Sequence, residues 1–311
     1  MKIIGPDFLV FVTDDVAGAG QFLIDYGLQD QGNGKYTALD GTGILLGHKD
    51  DPAFPKWAHP TSNQLVKTTY GVADQGDLDA IAAELSKDRE VKTLADGSLE
   101  AYDDMGFLLG FQLTVRKTLD LPGERANSPG VPARGFNVTG VDYPDTGLET
   151  PRTLSHVVYF VPDTDKAEAF YKRIGFRRSD NFIGMGPFLR PAACIDHHTM
   201  FLIKTPPQML GCEHFTFHMG GPTDVFLRGQ HMLRQGYESY WGPGRHRMGS
   251  NWFWYFNSPF GAHIEYDADM DMFDETWVPR EEHAAADRSQ IFLFGWRQTW
   301  APNGPDGQPE G

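Results

Sequence analysis

The stretch HVVYFVPDTDKAEAFYKRIGFRRSD, residues 156–180, contains the unit from which this chain is built. An apolar run and an acidic turn lead into a segment where Phe170 and Ile174 recur at helical spacing, which predicts a strand followed by a helix. Asp163 is expected to cap that helix, because its carboxylate can accept hydrogen bonds from unpaired backbone amides. Gly175 suits the left-handed position after the helix, and a polar strand follows.

The same unit occurs near the start of the chain, as FLVFVTDDVAGAGQFLIDYGLQD at residues 8–30. A second pair of segments repeats as well: TTYGVADQGDLDAIAAEL at residues 68–85 parallels FTFHMGGPTDVFLRGQHML at residues 215–233. In each segment a strand and a Gly-containing loop are predicted to lead into a helix, which begins at Asp77 in the first and at Asp224 in the second. Short apolar strands follow each helix. We therefore predict an α+β fold of four βαβββ modules, two in each half, which pair into two half-barrel domains whose concave faces can hold a ligand.

Composition suggests the domain boundaries. Residues 1–117 are predicted to form an N-terminal domain, and residues 152–290 a C-terminal domain. Residues 118–151 are rich in Pro and Gly and have no helical or alternating period, so they are interpreted as a linker. Residues 291–311 are interpreted as a tail with a disordered end.

The overall charge and the cysteine content limit the possible functions. The chain has 311 residues and a formal net charge of -15, which disfavours binding to nucleic acid and to anionic membranes. The N-terminal run lacks the features of a signal peptide, and no stretch approaches the roughly 18 apolar residues of a membrane span. Cys194 and Cys212 are too few for a disulfide framework, although a single bridge between them stays open. We expect a cytoplasmic protein with two reduced thiols.

Three polar residues stand in or beside apolar strands of the second half: His156 in TLSHVVYF, His214 in CEHFTFHM and Glu265 in GAHIEYD. Two imidazoles and one carboxylate on separate strands form the set that holds a divalent iron on one face and leaves other positions open. A buried carboxylate without a partner is costly, and a cation beside Glu265 would remove that cost.

The internal repeat indicates that these three residues act together. At the corresponding places the first half carries Asp7 or Phe8, the neighbourhood of Lys67, and Gly110. Independent structural residues are not expected to disappear from one half as a set. We therefore predict one metal, bound by the C-terminal domain, and an N-terminal domain that serves as a scaffold without metal.

Four further residues could face the same cavity. His197 and His198 are adjacent in CIDHHTMFLIK, and their side chains point to opposite faces if that stretch is extended, so that one of them can enter the cavity. His246 lies in the segment GPGRHRMG, which is interpreted as a loop. Tyr255 precedes Glu265 across the tight turn NSPFG, so these two side chains can face one pocket.

These features resemble the type I extradiol ring-cleavage dioxygenases of the vicinal-oxygen-chelate superfamily, over residues 8–277 and most closely from residue 156 onward. The family signature runs Gly-x-His, an aliphatic-Tyr pair, Asp-Pro-x-Gly and Glu, and the matching residues are Gly244, His246, Tyr255, Pro259, Gly261 and Glu265. Trp254 stands in place of the aliphatic residue, and Ser258 in place of the aspartate. The two departures indicate a divergent branch and leave the substrate open.

The resemblance implies a reaction and a role for each candidate. The His–His–Glu set would bind Fe(II), with Mn(II) as an alternative. His198 would be the acid–base residue, and His246 and Tyr255 would hydrogen-bond the substrate. The reaction would be the opening of a catechol ring next to its two hydroxyls by O2 (extradiol or meta cleavage), giving a semialdehyde in aromatic hydrocarbon catabolism. We also expect a homo-oligomer.

Other functions of the same scaffold stay open. One is a metal-dependent glyoxalase-like isomerase or thiol transferase, and another is a small-molecule binding protein without metal. For a dioxygenase, aromatic residues of the second half could form an apolar wall for the substrate ring: Phe182, Phe188, Phe201, Trp241, Trp252 and Phe253. Arg245 and Arg247 could reach an acidic substituent on that ring.

Overall fold

The structure is a computed structural model that describes residues 1–56, 64–141, 148–283 and 289–294. The elements of the first half are β1 (Ile3–Thr13), α1 (Val16–Tyr26), β2 (Gln29–Asp30), β3 (Lys35–Thr37), β4 (Gly43–His48), β5 (Leu65–Val72), α2 (Gln75–Leu85), β6 (Lys92–Thr93), β7 (Leu99–Tyr102) and β8 (Leu108–Leu113). The elements of the second half are β9 (Thr153–Val161), α3 (Thr164–Arg173), β10 (Phe176–Ile183), β11 (Gly186–Pro191), β12 (Met200–Lys204), a short 3-10 helix (Pro207–Met209), β13 (Gly211–His218), α4 (Pro222–Arg234), β14 (Ser239–His246), β15 (Trp252–Asn257), β16 (His263–Ala268), β17 (Arg280–His283) and β18 (Gln290–Leu293).

Each half of the described chain forms one sheet. The strand order is β2-β3-β4-β1-β5-β8-β7-β6 in the first sheet and β17-β10-β11-β12-β9-β13-β16-β15-β14-β18 in the second. The first strands of the two modules pair antiparallel in both halves, β1 with β5 and β9 with β13. The first strand of every module also runs parallel to its last strand. This pattern confirms the predicted α+β fold of four βαβββ modules.

The starts of the helices follow the local sequence. Asp163 caps α3 as predicted, since its side chain accepts a backbone amide hydrogen bond at 3.0 Å. The predicted start of α2 at Asp77 is wrong, because Asp74 supplies the cap and accepts from the Asp77 amide at 3.0 Å. Helix α4 begins at Pro222 rather than Asp224, and proline is favoured in a first helical turn. None of the helices in the described part of the chain is long and apolar enough to cross a membrane.

The second sheet extends past the boundary predicted at residue 290. Strand β18 pairs antiparallel with β14, so residues 290–293 belong to the sheet rather than to a tail. The outer edge of β14 offers backbone groups that need partners, and β18 supplies them. The remainder of the predicted tail, 295–311, and residues 142–147 of the predicted linker lie outside the described residues.

Side chains alternate across the strands that carry the predicted site. In β9, Val157 and Tyr159 belong to a hydrophobic core that residues of both halves share, whereas His156 and Val158 line a cavity on the opposite face. The same alternation places Phe215 in the shared core next to His214, which lines the cavity. Because successive strand residues point to opposite faces, His156 and His214 face the cavity while their neighbours Val157 and Phe215 pack in the core.

The first half supports the strand that carries Glu265. The hydroxyl of Tyr26, at the end of α1, donates to the Glu265 carbonyl oxygen at 2.6 Å. In return, the hydroxyl of Tyr266 donates to the Tyr26 carbonyl oxygen at 2.6 Å. The two tyrosine rings stack with their centroids 4.0 Å apart. The position of β16 therefore depends on direct contact with the first half.

Candidate metal centre and cavity

Three adjacent strands bring the predicted ligands together. In the register of the second sheet, His156 of β9 pairs with Thr216 of β13, and Thr216 pairs with Glu265 of β16. His214 precedes Thr216 on the same face of β13. As a result, one ligand atom from each of His156, His214 and Glu265 lies within 4.8 Å of the others.

These ligand atoms converge on the Glu265 carboxylate. His156 Nε2 lies 3.1 Å and His214 Nε2 lies 3.6 Å from Glu265 Oε2. Thr216 donates a hydrogen bond to the same carboxylate oxygen. Glu265 is 0% exposed, so its charge depends entirely on these neighbours. The donor set therefore fits a divalent cation, which would compensate the carboxylate and accept both imidazoles.

The outer nitrogen of each predicted histidine ligand is held by the preceding residue. His156 Nδ1 lies 2.8 Å from Ser155 Oγ, and His214 Nδ1 hydrogen-bonds to Glu213. Glu213 also lies 2.9 Å from His263 Nδ1. Such outer bonds orient an imidazole and leave Nε2 as the ligand atom. Glu213 was not among the predicted site residues, although its place directly before His214 in CEHFTFHM was a usable signal.

The electrostatic environment of His156 and Glu265 favours the charge states that metal binding requires, whereas at His214 burial is outweighed by the Glu213 carboxylate, which raises the pKa. Burial lowers the pKa of His156, which favours its neutral imidazole. Burial also acts to raise the pKa of Glu265, but hydrogen bonds with His156 and His246 outweigh it and hold this pKa well below its usual range. A neutral imidazole and an ionised carboxylate are the forms that bind metals.

The corresponding row of the first sheet has different residues. Phe8 pairs with Thr69, and Thr69 pairs with Gly110. This register identifies Phe8, rather than Asp7, as the counterpart of His156. At this row, the first sheet offers a phenyl ring and a glycine where the second offers an imidazole and a carboxylate.

His198 lines the same cavity as the predicted ligands, and its ring centroid lies 4.3 Å from that of His156. Burial, followed by the nearby His156 and His197, holds the pKa of His198 well below its usual range. The expectation that His197 and His198 point to opposite faces is wrong, because β12 begins only at Met200. In the bend before that strand the two Nδ1 atoms approach to 2.8 Å.

His246 and Tyr255 flank Glu265 on the other side. Tyr255 of β15 is the direct cross-strand partner of Glu265. His246 Nε2 lies 3.1 Å from the Tyr255 hydroxyl and 3.3 Å from Glu265 Oε1, while its Nδ1 lies 2.6 Å from Gln290 Oε1. His246 ends strand β14 rather than lying in a loop, and Gln290 is its partner on β18. Gln290 was not among the predicted site residues, because it carries no local signal in the sequence.

Apolar side chains line the cavity beside the histidines. Three of the predicted aromatic residues, Phe182, Phe188 and Phe201, are among them, together with Val158 and Met248. The phenyl rings of Phe188 and Phe201 stack with centroids 4.0 Å apart. These contacts make one wall of the cavity flat and apolar, which suits the face of an aromatic ring.

The other residues predicted to contact a substrate lie outside this cavity. Trp241 and Phe253 pack against Tyr255 in a separate cluster, and Trp252 lies beneath the Arg245 guanidinium at 5.1 Å. The two arginines are paired with carboxylates, Arg245 with Asp269 at 2.9 Å and Arg247 with Glu282 at 3.1 Å. Both arginine charges are therefore paired with carboxylates outside the cavity.

The fold and the site define a class of protein, in which paired βαβββ modules carry one buried His–His–Glu set in the second half. The family model of the Glyoxalase/Bleomycin resistance protein/Dioxygenase superfamily matches residues 153–266. This part of the chain belongs to that superfamily, and it includes all three predicted ligands.

Relatives in sequence and structure agree with this assignment. Metapyrocatechase 2 of Cupriavidus necator is 34% identical over 149 residues, which cover 47% of this chain and 44% of that protein, so the match spans less than half of its length. Biphenyl-2,3-diol 1,2-dioxygenase of Paraburkholderia xenovorans (strain LB400) is 27% identical over 298 residues, which cover 89% of this chain and 92% of that protein. The Mn(II)-bound glyoxalase from Novosphingobium aromaticivorans has a similar fold, with a TM-score of 0.72 at 20% identity over 100% of this chain and 95% of that one.

Proposed function

We propose that this protein is an extradiol dioxygenase, which opens the ring of a catechol next to its two hydroxyls with O2 at an Fe(II) centre. The observation that carries the proposal is the placement of three hydrogen-bonding side chains around the buried His–His–Glu set. His198 lies beside His156, just before strand β12, and His246 and Tyr255 lie on the other side of Glu265, in strands β14 and β15. The sequence relatives named as metapyrocatechase and biphenyl-2,3-diol dioxygenase support this chemistry.

The proposed ligands are His156, His214 and Glu265, which together occupy one face of a metal. Fe(II) bound there would offer positions at which the catechol oxygens and O2 meet, and would lower the pKa of a bound hydroxyl. The same donor set suits Mn(II), and we propose Fe(II) because O2 chemistry is typical of this set with iron.

Tyr255 and His246 would orient the catechol. The Tyr255 hydroxyl and His246 Nε2 lie 3.1 Å apart beside Glu265, so each can form a hydrogen bond to a substrate oxygen. Gln290 holds the far nitrogen of His246 at 2.6 Å, which fixes the imidazole before the substrate arrives. Hydrogen-bonding groups that are already oriented need no reorganisation during the reaction.

His198 would carry the proton. It is 4% exposed and lines the cavity, and its low pKa keeps the imidazole neutral and able to accept a proton from the substrate. It can then return that proton as the ring opens. The Phe188 ring lies 5.0 Å from the His198 ring and shields it from solvent.

The cavity wall favours an apolar substrate. Phe182, Phe188, Phe201 and Met248 present hydrocarbon to the space beside His198. We therefore propose a catechol with apolar ring substituents, whose transfer from water into this wall is favourable.

A metal-dependent isomerase of the same superfamily is the second candidate, because the Mn(II)-bound glyoxalase shares the fold. Such an enzyme uses His and Glu ligands but does not need His198, His246 and Tyr255 around them. A binding protein without metal is less well supported, since it has no need of a buried carboxylate between two imidazoles.

The test is anaerobic reconstitution with Fe(II), followed by a screen of substituted catechols. We expect O2 uptake equal to catechol consumed, with a yellow ring-opened product. Uptake should be lost in His214→Ala, while Lys67→Ala, at the matching place in the first half, should behave as wild type. A metal-loaded protein that isomerises a hemithioacetal and consumes no O2 with any catechol would overturn the proposal in favour of the second candidate.

Three further parts of the proposal concern the whole protein. We propose that residues 1–117 act as a scaffold without metal and that residues 152–290, extended by strand β18, carry the catalysis, with residues 118–151 as the linker. A cytoplasmic location and a homo-oligomeric assembly stay predictions, which fractionation and sedimentation would test.

A further inference from the structure

A line of buried polar groups leads from His198 away from the metal ligands. His197 Nδ1 lies 2.8 Å from His198 Nδ1, and His197 Nε2 lies 2.8 Å from Asp180 Oδ2. Asp180 in turn accepts from the Arg280 backbone amide at 2.8 Å and from Arg280 Nε at 3.0 Å. His197 and Asp180 are both 0% exposed.

We propose that Asp180 and His197 are positioning residues, which fix the tautomer of His198 so that its Nε2 lone pair faces the cavity. The role in catalysis rests on the proposed dioxygenase function. The tautomer itself is a property of the protein and can be measured without turnover.

The tautomer follows from counting protons along the line. Burial acts to raise the pKa of Asp180, but hydrogen bonds from His197 and Arg280 outweigh it and lower this pKa, so the carboxylate is ionised. An ionised carboxylate only accepts, which places a proton on His197 Nε2. A neutral His197 then has a lone pair on Nδ1, and the proton in the Nδ1–Nδ1 bond must belong to His198. That leaves Nε2 of His198 without a proton.

The surrounding packing keeps this line rigid. The His197 backbone amide donates to the Asp271 carbonyl oxygen at 2.8 Å. The His197 ring lies between Phe188, at 5.2 Å, and Phe273, at 5.3 Å. Strands β10 and β17 pair so that Asp180 and Arg280 are direct partners. A fixed hydrogen-bond line of this kind holds its last member, His198, in one orientation.

The arrangement has a consequence for proton transfer. When Nε2 of His198 accepts a proton, Nδ1–H remains bonded to His197, so no ring rotation is required. The negative charge of Asp180 favours the resulting imidazolium through the His197 ring between them. His197 thus acts through His198 and does not itself reach the cavity.

The decisive variant is Asp180→Asn. Arg280 donates to both carboxylate oxygens, through its backbone amide to Oδ1 and through its guanidinium to Oδ2. With the backbone bond kept, the new amide oxygen is expected at Oδ1 and the NH2 group beside His197, while the Arg280 guanidinium, which is 40% exposed, turns away toward solvent. An NH2 donor to His197 Nε2 moves the His197 proton to Nδ1 and reverses the tautomer of His198. We expect kcat to fall by roughly 10²–10⁴-fold, the range for loss of an acid–base group, with KM and metal content unchanged. In a His198→Gln background the same change should cause no further loss.

The control is Asp103→Asn. Asp103, in the first half, is another buried aspartate, and it accepts a hydrogen bond at 2.9 Å from the hydroxyl of Tyr171 in α3. This variant measures how far kcat falls when a buried carboxylate outside the proposed site is lost. We expect kcat to stay within about twofold of wild type for this variant, since a site remote from the chemistry leaves transition-state contacts unchanged.

Histidine ¹⁵N NMR of the full chain loaded with Zn(II) gives the readout that needs no turnover. His198 is identified by its loss in His198→Gln. We expect its proton on Nδ1 in the wild type and on Nε2 in Asp180→Asn. A wild-type His198 protonated on Nε2, or an unchanged tautomer in Asp180→Asn, would overturn the inference. So would equal losses of kcat in wild-type and His198→Gln backgrounds. If the chain consumes no O2 with catechols, the proposed function fails while the NMR result still decides the tautomer.

Discussion

Gly110 occupies in the first sheet the place that Glu265 occupies in the second. Each is the partner of a threonine in the central strand of its sheet, Thr69 for Gly110 and Thr216 for Glu265. A side chain at position 110 would approach Thr69, since its Cβ atom would lie 2.9 Å from Thr69 Oγ1. Packing therefore leaves no space for a side chain at this position of the first half, whereas the same position of the second half carries a carboxylate that can bind a metal.

We predict one metal per chain, held by the second half. Glu265→Ala should lose the metal, because it removes one of three protein ligands and the only carboxylate among them. Lys67→Ala is the matched control, since Lys67 pairs with Glu100 at 2.9 Å in the first half. Metal content measured after gel filtration separates the two. Full occupancy in Glu265→Ala, or anomalous scattering from a metal near Gly110, would contradict this assignment.

Glu213→Gln should weaken metal binding without removing a ligand. The carboxylate holds His214 Nδ1, and loss of such an outer partner typically costs about 10–100-fold in metal affinity. Competition with a chelator measures the change. Glu100→Gln serves as a control from the first half. Unchanged affinity in Glu213→Gln would mean that packing alone orients His214.

His198→Gln should keep the metal and bind catechol, yet turn over roughly 10²–10⁴-fold more slowly, because an acid–base group is lost. His197 is expected to matter as well, although it does not line the cavity, because its ring is bonded to that of His198. Steady-state kinetics and metal analysis of both variants check this. Loss of metal in His198→Gln would instead make His198 a ligand.

Tyr26→Phe should destabilise the fold and leave the metal ligands chemically intact. Its hydroxyl is the donor to the buried Glu265 carbonyl, and an acceptor left without its partner costs about 1–3 kcal/mol. Urea unfolding measures the loss. Tyr102→Phe is the control, since Tyr102 is 57% exposed. Equal midpoints for the two variants would show that the contact between the halves contributes little.

The stability of the fold should fall between pH 6.5 and 10 through His218. Burial alone would lower its pKa, but the carboxylates of Asp267 and Asp196 raise the pKa of His218 to about 10. The folded pKa lies above the unfolded value, so the protonated side chain stabilises the fold fully below pH 6.5 and loses this effect as the pH rises toward 10. Each pH unit in this window can cost up to about 1.4 kcal/mol of unfolding free energy.

The matching measurement is urea unfolding of wild type and His218→Gln from pH 6 to pH 9. The variant should be less stable at pH 6, because Asp267 loses a partner at 2.6 Å, and its stability should depend less on pH. His283→Gln, at an exposed position, should follow the wild type. A pH dependence that survives in His218→Gln would assign it to another group.

Much of the fold was predictable because it is local. Apolar alternation, the Asp163 cap and the repeated strand–helix order are properties of short segments, and they led to the four modules. The errors in the predicted fold have both local and long-range causes. The start of α2 depends on which aspartate accepts an amide, and Asp74 is better placed than Asp77. The strand after residue 290 has no strong period of its own and forms because β14 offers an unpaired edge.

The amino-acid sequence alone was enough to indicate which residues can bind a metal, since two imidazoles and one carboxylate stand out from apolar strands and are missing from the repeat. Their partners on other strands became apparent only in three dimensions. Asp180 and Gln290 act through side-chain hydrogen bonds whose partners are set by strand register or by backbone turns. A hydrogen bond forms only within about 3 Å and at a suitable angle, and no spacing in the chain encodes that distance for residues on different strands.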